Sequence, residues 1–409
     1  MGWRSIARSD RASSSLSKSS KQLLRGKTAP TLVLGSVRVH ARRKNPRRRE
    51  KSAPTFVLGS VRAREMCPSL SGSCPRFGPH VRQPDNGARL SKVVRQVSER
   101  RETCFERSAM TAPRPVIPGL FLFLTRRCTQ RQFLLRPDDE TNNAFVYCLA
   151  EAAQRFGMDV LLSQMMSNHQ HTAVYDPHGR EVEFREHFHK MMARSQNALR
   201  GRWENFWSSE ESCVVEVMTA EDLLDKLVYI ATNPVKDGLV EKVHHWPGPD
   251  FVNALLRGKS MKAHRPRHFF REEGTMPAEV ALVLRLPDHF EGKTAFLEEL
   301  RRRIIEVEQA CARERQQTGR WVVGRRRVLR TSWRDSPTSR EPRRGLRPRV
   351  AARDKWLRIA TLQRNKEWQL EYQDARAKWL LGIPTVFPFG TYWLRRFASV
   401  AVKPPPERT

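Results

Sequence analysis

Two short segments of the chain contain side chains that could do chemistry together. The first runs from Asn168 to His171, inside an apolar stretch from Val160 to Val174 whose length favours a β-strand. Successive strand side chains point to opposite faces, so His169 and His171 are expected on one face, with their Cα atoms about 6–7 Å apart. Two imidazoles held in this way can share one divalent metal ion.

The second segment runs from Tyr229 to Pro234, near the end of an amphipathic helical pattern. Tyr229 and Asn233 are four residues apart and therefore share a helix face, so the Asn233 amide oxygen is a candidate third metal ligand. Two plainer interpretations stay open. Asn233 precedes a proline and could simply end the helix, and Tyr229 could be a core residue with its hydroxyl at the edge. A tyrosine beside a metal ion predicts phosphoryl transfer through a covalent tyrosine intermediate.

Alternating strand and helix patterns could position these residues. The pattern predicts strands at Gly119 to Arg127, Asp159 to Ser167, His169 to Tyr175 and Cys213 to Met218, and helices at Asn142 to Phe156 and Glu183 to Phe206. A last helix is expected to begin at Thr219, with Asp222 completing a capping box. The order predicts an α+β fold, a ferredoxin-like β-α-β-β-α-β sandwich with an added C-terminal catalytic helix.

The charge of the chain points to a polyanionic partner. The 409 residues carry a formal net charge of +32, which favours nucleic acid first and an anionic membrane surface second. The longest apolar stretch, Gly119 to Leu124, is far shorter than the roughly 20 residues that span a bilayer, so no membrane span is expected. Seven cysteines without a Cys-x-x-Cys pair indicate no disulfide framework and no thiolate zinc site. A reduced, cytoplasmic protein is the expectation.

The composition divides the chain into three parts. Residues 1–109 hold 25 Lys and Arg against 7 Asp and Glu, and Ala29 to Arg38 recurs in modified form as Ala53 to Arg62. This part is expected to be a basic, low-complexity, disordered extension; a flexible arm that follows DNA phosphates is the alternative. An ordered pattern begins after Met110, which predicts a catalytic domain at 110–255. Residues 256–409 are expected to be a basic, mainly helical accessory region that contacts DNA or packs on the catalytic core.

Three segments of the predicted catalytic domain together resemble a known family. Thr125 to Phe133, Met166 to His171 and Tyr229 to Val240 are similar to the single-tyrosine HUH transposases, and more narrowly to the REP-associated tyrosine transposases of bacteria. The resemblance covers roughly residues 110–255. It implies that His169 and His171 bind a divalent cation and that Tyr229 attacks single-stranded DNA in a bacterial, nucleoid-associated setting. Gln170 and Ser167 depart from the apolar residue and the proline that the family usually has.

The expected chemistry specifies the cofactor and the substrate. Two imidazoles and one amide oxygen suit Mg²⁺ or Mn²⁺, with Asn233 as the third ligand beside His169 and His171. The substrate is expected to be single-stranded or hairpin DNA held in a basic groove. Candidate DNA contacts, which could equally be a solvated face, are Arg126, Arg127, Arg131, Lys190, Arg194, Arg200 and Arg202. The rival functions are a non-catalytic nucleic-acid-binding protein with the same fold and a metal-dependent hydrolase that uses water.

Overall fold

A computed structural model describes residues 113–339 and 348–406. The predicted N-terminal extension, and Met110 as the start of the ordered chain, fall outside the described residues. The strands of the main sheet are β1 (Leu120–Arg127), β2 (Asp159–Met165), β3 (His169–Asp176), β4 (Cys213–Val217) and β7 (Val350–Ala351), and β5 (Met261–His264) and β6 (Glu279–Leu282) form a separate hairpin. The helices are α1 (Asp139–Phe156), α2 (Glu181–Arg200), α3 (Ala220–Lys236), α4 (Phe251–Arg257), α5 (Lys293–Thr318), α6 (Arg325–Arg330), α7 (Lys355–Leu380) and α8 (Trp393–Ala398).

The main sheet has the strand order β2-β3-β1-β4-β7. The first four strands pair antiparallel, as a ferredoxin-like β-α-β-β-α-β unit requires, so the predicted α+β fold is confirmed. A fifth strand, β7, pairs parallel to β4 at the edge. This strand was not predicted, because its two residues follow a basic, proline-containing segment with no strand pattern.

The two faces of the sheet are covered by different helices. On one face α1 and α2 pack side by side. The other face carries α3, whose Tyr229 ring contacts the rings of Phe123 on β1 and His171 on β3. The face under α3 is called the tyrosine face below.

Helix ends follow local capping chemistry. The α2 helix ends at Arg200 because Gly201 adopts a left-handed conformation with φ of 61°, so the predicted continuation to Phe206 is wrong. The α3 helix begins as predicted, with the Thr219 hydroxyl accepting a hydrogen bond from the Asp222 backbone N–H. It continues through Pro234 to Lys236, so Asn233 lies inside the helix and does not end it. Pro234 removes one backbone hydrogen bond from the helix, and the last turn is held by packing, with Asn233, Pro234 and Val235 buried.

The main apolar core continues past residue 255. Ala263 and Val280 of the β5–β6 hairpin and Leu300 and Ile304 of α5 belong to the same buried cluster as the strands of the main sheet. The hairpin packs on α1, and α5 packs on α3. The accessory region is therefore in contact with the helix that carries Tyr229, while its proposed role in DNA binding stays a prediction. No helix in the described ranges is long and apolar enough to cross a membrane.

Candidate metal and tyrosine site

His169 and His171 lie next to each other at the start of β3, on the tyrosine face. His169 pairs with Arg127 of β1 and His171 pairs with Thr125. The two imidazole rings have centroids 4.8 Å apart and are nearly perpendicular, at 76°. The predicted placement of both rings on one face of a strand is thus what the structure has.

One nitrogen of each ring is held by a neighbouring side chain. The Asn168 amide oxygen lies 2.7 Å from His169 Nδ1, and because this oxygen can only accept, Nδ1 carries the proton. The Thr125 hydroxyl lies 2.9 Å from His171 Nδ1. Both Nε2 atoms are buried and have no hydrogen-bond partner among the described residues. Histidines that bind metal ions are usually held in this way, through the nitrogen that does not bind.

Both imidazoles are neutral at pH 7. Burial, helped by the positive charges of Arg127 and Arg131, lowers the pKa of His169 to about 4. Burial also lowers the pKa of His171 well below its usual value, and the adjacent His169 and Lys226 add to the effect. A neutral imidazole keeps the lone pair that a metal ligand needs.

Tyr229 and Asn233 lie on one face of α3, and Tyr229 contacts His171. The Tyr229 ring lies 5.3 Å from the His171 ring and 6.1 Å from the Phe123 ring, in edge-on contacts. Asn233 is only 4% exposed, and its amide oxygen is buried without a hydrogen-bond partner. A buried acceptor without a partner costs about 1–3 kcal/mol, which a bound cation would offset. Each of the three predicted ligands therefore has a buried polar atom without a partner in the described ranges, and in His171 that atom is an acceptor when Nδ1 carries the proton.

The donor set fits a divalent cation of intermediate hardness. In the described ranges, no three His, Cys, Asp or Glu side chains are grouped so as to hold a metal ion. A site here would therefore combine His169 and His171 with an amide oxygen, and Asn233 supplies one. Two imidazole nitrogens and one carbonyl-type oxygen suit Mn²⁺ or Mg²⁺ with water in the remaining positions.

Charged groups lie around Tyr229 along one side of α3. Burial and the nearby Asp237 carboxyl raise the pKa of Tyr229 to about 12, and a hydrogen bond with Asn233 acts in the opposite direction. The Lys236 amino group lies 5.8 Å from the Tyr229 ring centroid, and Lys226 Nζ lies 5.5 Å from the Phe123 ring. Burial lowers the pKa of Lys226.

Sequence reasoning missed Lys226, Lys236 and Asp237. Their positions carry a signal, because residues 226, 229, 233, 236 and 237 follow the three-and-four spacing of one helix face. Reading that face as a whole would have found all three charged groups beside the tyrosine.

Arg126 and Arg127, which are adjacent in sequence, lie on opposite faces of the sheet. Arg127 is paired with His169 on the tyrosine face, and it also forms an ion pair with Glu210 at 3.4 Å. Arg126 is paired with Gln170 on the other face, where its guanidinium donates to the Ser208 carbonyl oxygen at 3.3 Å. Only Arg127 of this pair is beside the candidate site.

The other predicted DNA contacts differ in exposure. Lys190 and Arg194 on α2 are exposed. Arg131 donates to the Ser339 carbonyl oxygen at 2.6 Å, and Arg202 donates to the Gln132 side chain at 3.4 Å.

Arg200 differs from the other predicted contacts. Its side chain is only 7% exposed, and it donates to Asp138, the residue that caps α1, at 2.7 Å. This ion pair makes Arg200 the weakest member of the predicted DNA-contacting set.

Gln170 points away from the predicted metal ligands His169 and His171, as expected. Its amide nitrogen lies 3.2 Å from His189 Nε2, and its amide oxygen accepts a hydrogen bond from the Thr172 hydroxyl at 2.6 Å. The Thr172 hydroxyl also lies 2.9 Å from the Ser163 hydroxyl. A polar residue is accommodated here because both ends of its side chain have partners.

Comparisons with known proteins gave only distant structural similarities. No protein-family model matches the chain, and neither does any curated protein. A solved structure of a REP-associated tyrosine transposase bound to a REP hairpin is 18% identical, with 44% of this chain and 99% of that chain covered and a TM-score of 0.31. A putative transposase from Deinococcus radiodurans R1 is also 18% identical, with coverages of 29% and 93% and a TM-score of 0.22. Similarities this distant carry no argument about the function of this chain.

Proposed function

We propose that this protein is a metal-dependent DNA strand transferase of the transposase type, which cleaves single-stranded or hairpin DNA through a covalent bond to Tyr229. One observation carries the proposal. The three side chains that the sequence nominates as ligands, His169, His171 and Asn233, each hold a buried polar atom without a hydrogen-bond partner in the described ranges, and the Tyr229 ring contacts the His171 ring. A bound Mg²⁺ or Mn²⁺ ion would offset negative charge on the oxygens of the scissile phosphate.

The reaction assigned to Tyr229 is a balanced exchange of phosphodiester bonds. The phenolic oxygen attacks the phosphorus, a bond between tyrosine and the 5′-phosphate forms, and the bond to the 3′-oxygen breaks. The phenolic proton passes to solvent, and the 3′-oxygen leaves as a hydroxyl. The reverse attack by another 3′-hydroxyl would rejoin DNA without ATP, because the energy of the bond is kept in the phosphotyrosine.

The raised pKa of Tyr229 makes positive charge around it important. At neutral pH a phenol with a pKa of about 12 is protonated, so the phenolate must be stabilised during attack. Lys236 lies over the Tyr229 ring, and Lys226 lies over the Phe123 ring beside it. Arg127, opposite His169, is placed to hold a DNA phosphate on the same face. These three cations support the assignment of an anionic substrate.

A trapping experiment tests the proposal. A labelled single-stranded or hairpin oligonucleotide is incubated with the protein and Mn²⁺, and the mixture is run on a denaturing gel. The wild type is expected to give a labelled protein band that a chelator abolishes. Tyr229→Phe should give no band while keeping DNA affinity, because only the hydroxyl is lost.

Tyr175→Phe is the matched control. Tyr175 lies on β3, on the same strand as His171, and its ring contacts Phe121. This variant should form the adduct normally. Cleavage without any adduct in the wild type would favour the water-using hydrolase, and binding without cleavage would favour the non-catalytic binder.

A further inference from the structure

Trp203 is a large aromatic side chain that the fold leaves uncovered. It lies in the loop between α2 and β4 and is 90% exposed. Burying a tryptophan ring on a partner is strongly favourable, so an exposed one in a concave site commonly marks a binding surface. The Trp203 pocket, lined by Trp203, Thr129, Gln130, Gln132, Arg202 and neighbouring loop residues, has a volume of about 430 Å³. This is within the size range of small-ligand sites.

The Trp203 pocket lies next to the end of the sheet that carries His169, and backbone hydrogen bonds connect the two. The Thr129 backbone N–H donates to the Phe206 carbonyl oxygen at 2.9 Å, and the Ser208 N–H donates to the Arg127 carbonyl oxygen at 2.8 Å. Arg127 is the residue of β1 that pairs with His169. Neighbouring antiparallel strands are about 5 Å apart, so the loops that form the pocket leave the sheet next to the candidate metal ligands.

The loop opposite Trp203 is held in an unusual conformation. Gln130 and Arg131 are consecutive non-glycine residues with positive φ, 49° and 59°. This left-handed conformation is costly for such residues, and it persists mainly where the surroundings require it. The strained loop places the exposed Gln130 and the half-buried Gln132 in the wall of the pocket.

The chemistry of the walls suits a nucleobase better than a phosphate. Gln130, Gln132 and Asn205 offer amide donors and acceptors, and Arg202 donates to the Gln132 side chain at 3.4 Å. Glu204 contributes a carboxylate, which repels a phosphate but can accept hydrogen bonds from a base. Aromatic rings bind unpaired bases by stacking, and amide groups read the base edge.

We propose that the Trp203 pocket binds one unpaired nucleobase close to the cleaved phosphate, with the base stacked on Trp203 and its edge held by the surrounding amides. This inference rests on the proposed function for its substrate class. The nucleotide that flanks the reacting bond is then selected by Trp203, Gln130 and Gln132.

An abasic scan combined with substitution of Trp203 tests the proposal. Oligonucleotides with a single abasic site at each position in turn are bound to the Tyr229→Phe protein, so that cleavage plays no part. Removing the stacked base should weaken binding by about 10-fold or more at one position. Trp203→Ala should weaken binding by a similar factor and abolish the penalty at that position alone, because the two changes remove the same contact. Trp203→Phe should restore most of the affinity.

Trp321→Ala is the matched control, since Trp321 is 94% exposed but follows α5 outside the pocket. It should leave the abasic profile unchanged. The same profile in Trp203→Ala and in the parent protein would overturn the proposal, and would leave a protein partner as the occupant of the exposed ring. Because binding alone is measured, a missing covalent adduct would refute the proposed reaction without removing the base site.

Discussion

Replacing Gln170 tests whether the two faces of β3 have separate roles, one in stability and one in metal binding. Its side chain is fully buried on the face opposite His169 and His171, between the Thr172 hydroxyl and His189 Nε2. Burial keeps His189 neutral by lowering its pKa well below the usual value, so its Nε2 can accept the hydrogen bond from Gln170. Gln170→Val removes that donor and leaves His189 Nε2 buried without a partner.

The expected cost follows from this count of partners. The Thr172 hydroxyl keeps its contact with Ser163 at 2.9 Å, so His189 Nε2 is the one buried acceptor left without a partner. Leaving it unpaired should lower the free energy of unfolding by about 1–3 kcal/mol. A free energy of unfolding lower by about 2 kcal/mol corresponds to a melting temperature lower by roughly 5 °C for a protein of this size. The affinity for Mn²⁺ should not change, because His169 and His171 project from the other face.

Denaturant unfolding and calorimetric Mn²⁺ titration measure the two effects separately. Gln170→Met is the control, since it keeps the length of the side chain and removes its hydrogen bonds. It should lose stability much as Gln170→Val does. A loss of Mn²⁺ affinity in either variant as large as in His171→Ala would refute the two-face assignment, and undiminished stability in both would refute the polar network.

Three further predictions test single contacts. Thr125→Val should lower Mn²⁺ affinity by about 10- to 100-fold by releasing His171 Nδ1, whereas Thr125→Ser should keep it; equal affinities in calorimetry would contradict this role. Burial raises the pKa of Asp237 to about 7. The contribution of its neutral form to stability is therefore complete below about pH 4 and is lost as the pH rises through 7. With chelator, Asp237→Asn should therefore raise the melting temperature at pH 8 and not at pH 4, and equal shifts would count against it. Arg200→Ala should lower the free energy of unfolding by about 3 kcal/mol, because it breaks a nearly buried ion pair. Arg194→Ala should only flatten the salt dependence of DNA binding. The opposite pattern would show that Arg200 contacts DNA.

The sequence was sufficient for the parts of the fold that depend on local patterns. Alternation placed His169 and His171 on one strand face, and the capping pair Thr219 and Asp222 located the start of α3. The end of α2 was missed because Gly201 outweighs the apolar residues that continue to Phe206. The strand β7 was missed because two residues that pair over a long sequence separation leave no periodic signal.

The candidate site was predictable only where a motif spans a few residues. His169, His171, Tyr229 and Asn233 were nominated from spacing, whereas the partner of His171 could not be, because Thr125 reaches it only through the register of β1 against β3. Charge alone also could not separate exposed arginines from paired ones. Arg194 and Arg200 look alike in sequence, and only tertiary contacts show that Arg200 binds Asp138.

The most direct test of the central claim is to identify the residue that carries the DNA. Protein trapped with a single-stranded or hairpin oligonucleotide in Mn²⁺ is digested with protease and nuclease, and the modified peptide is sequenced by mass spectrometry. The account predicts one phosphonucleotide adduct, on Tyr229, that is absent when Mn²⁺ is chelated and absent in His169→Ala and His171→Ala. An adduct on Tyr175 or Tyr147, or an adduct on Tyr229 that forms equally well in chelator, would contradict it.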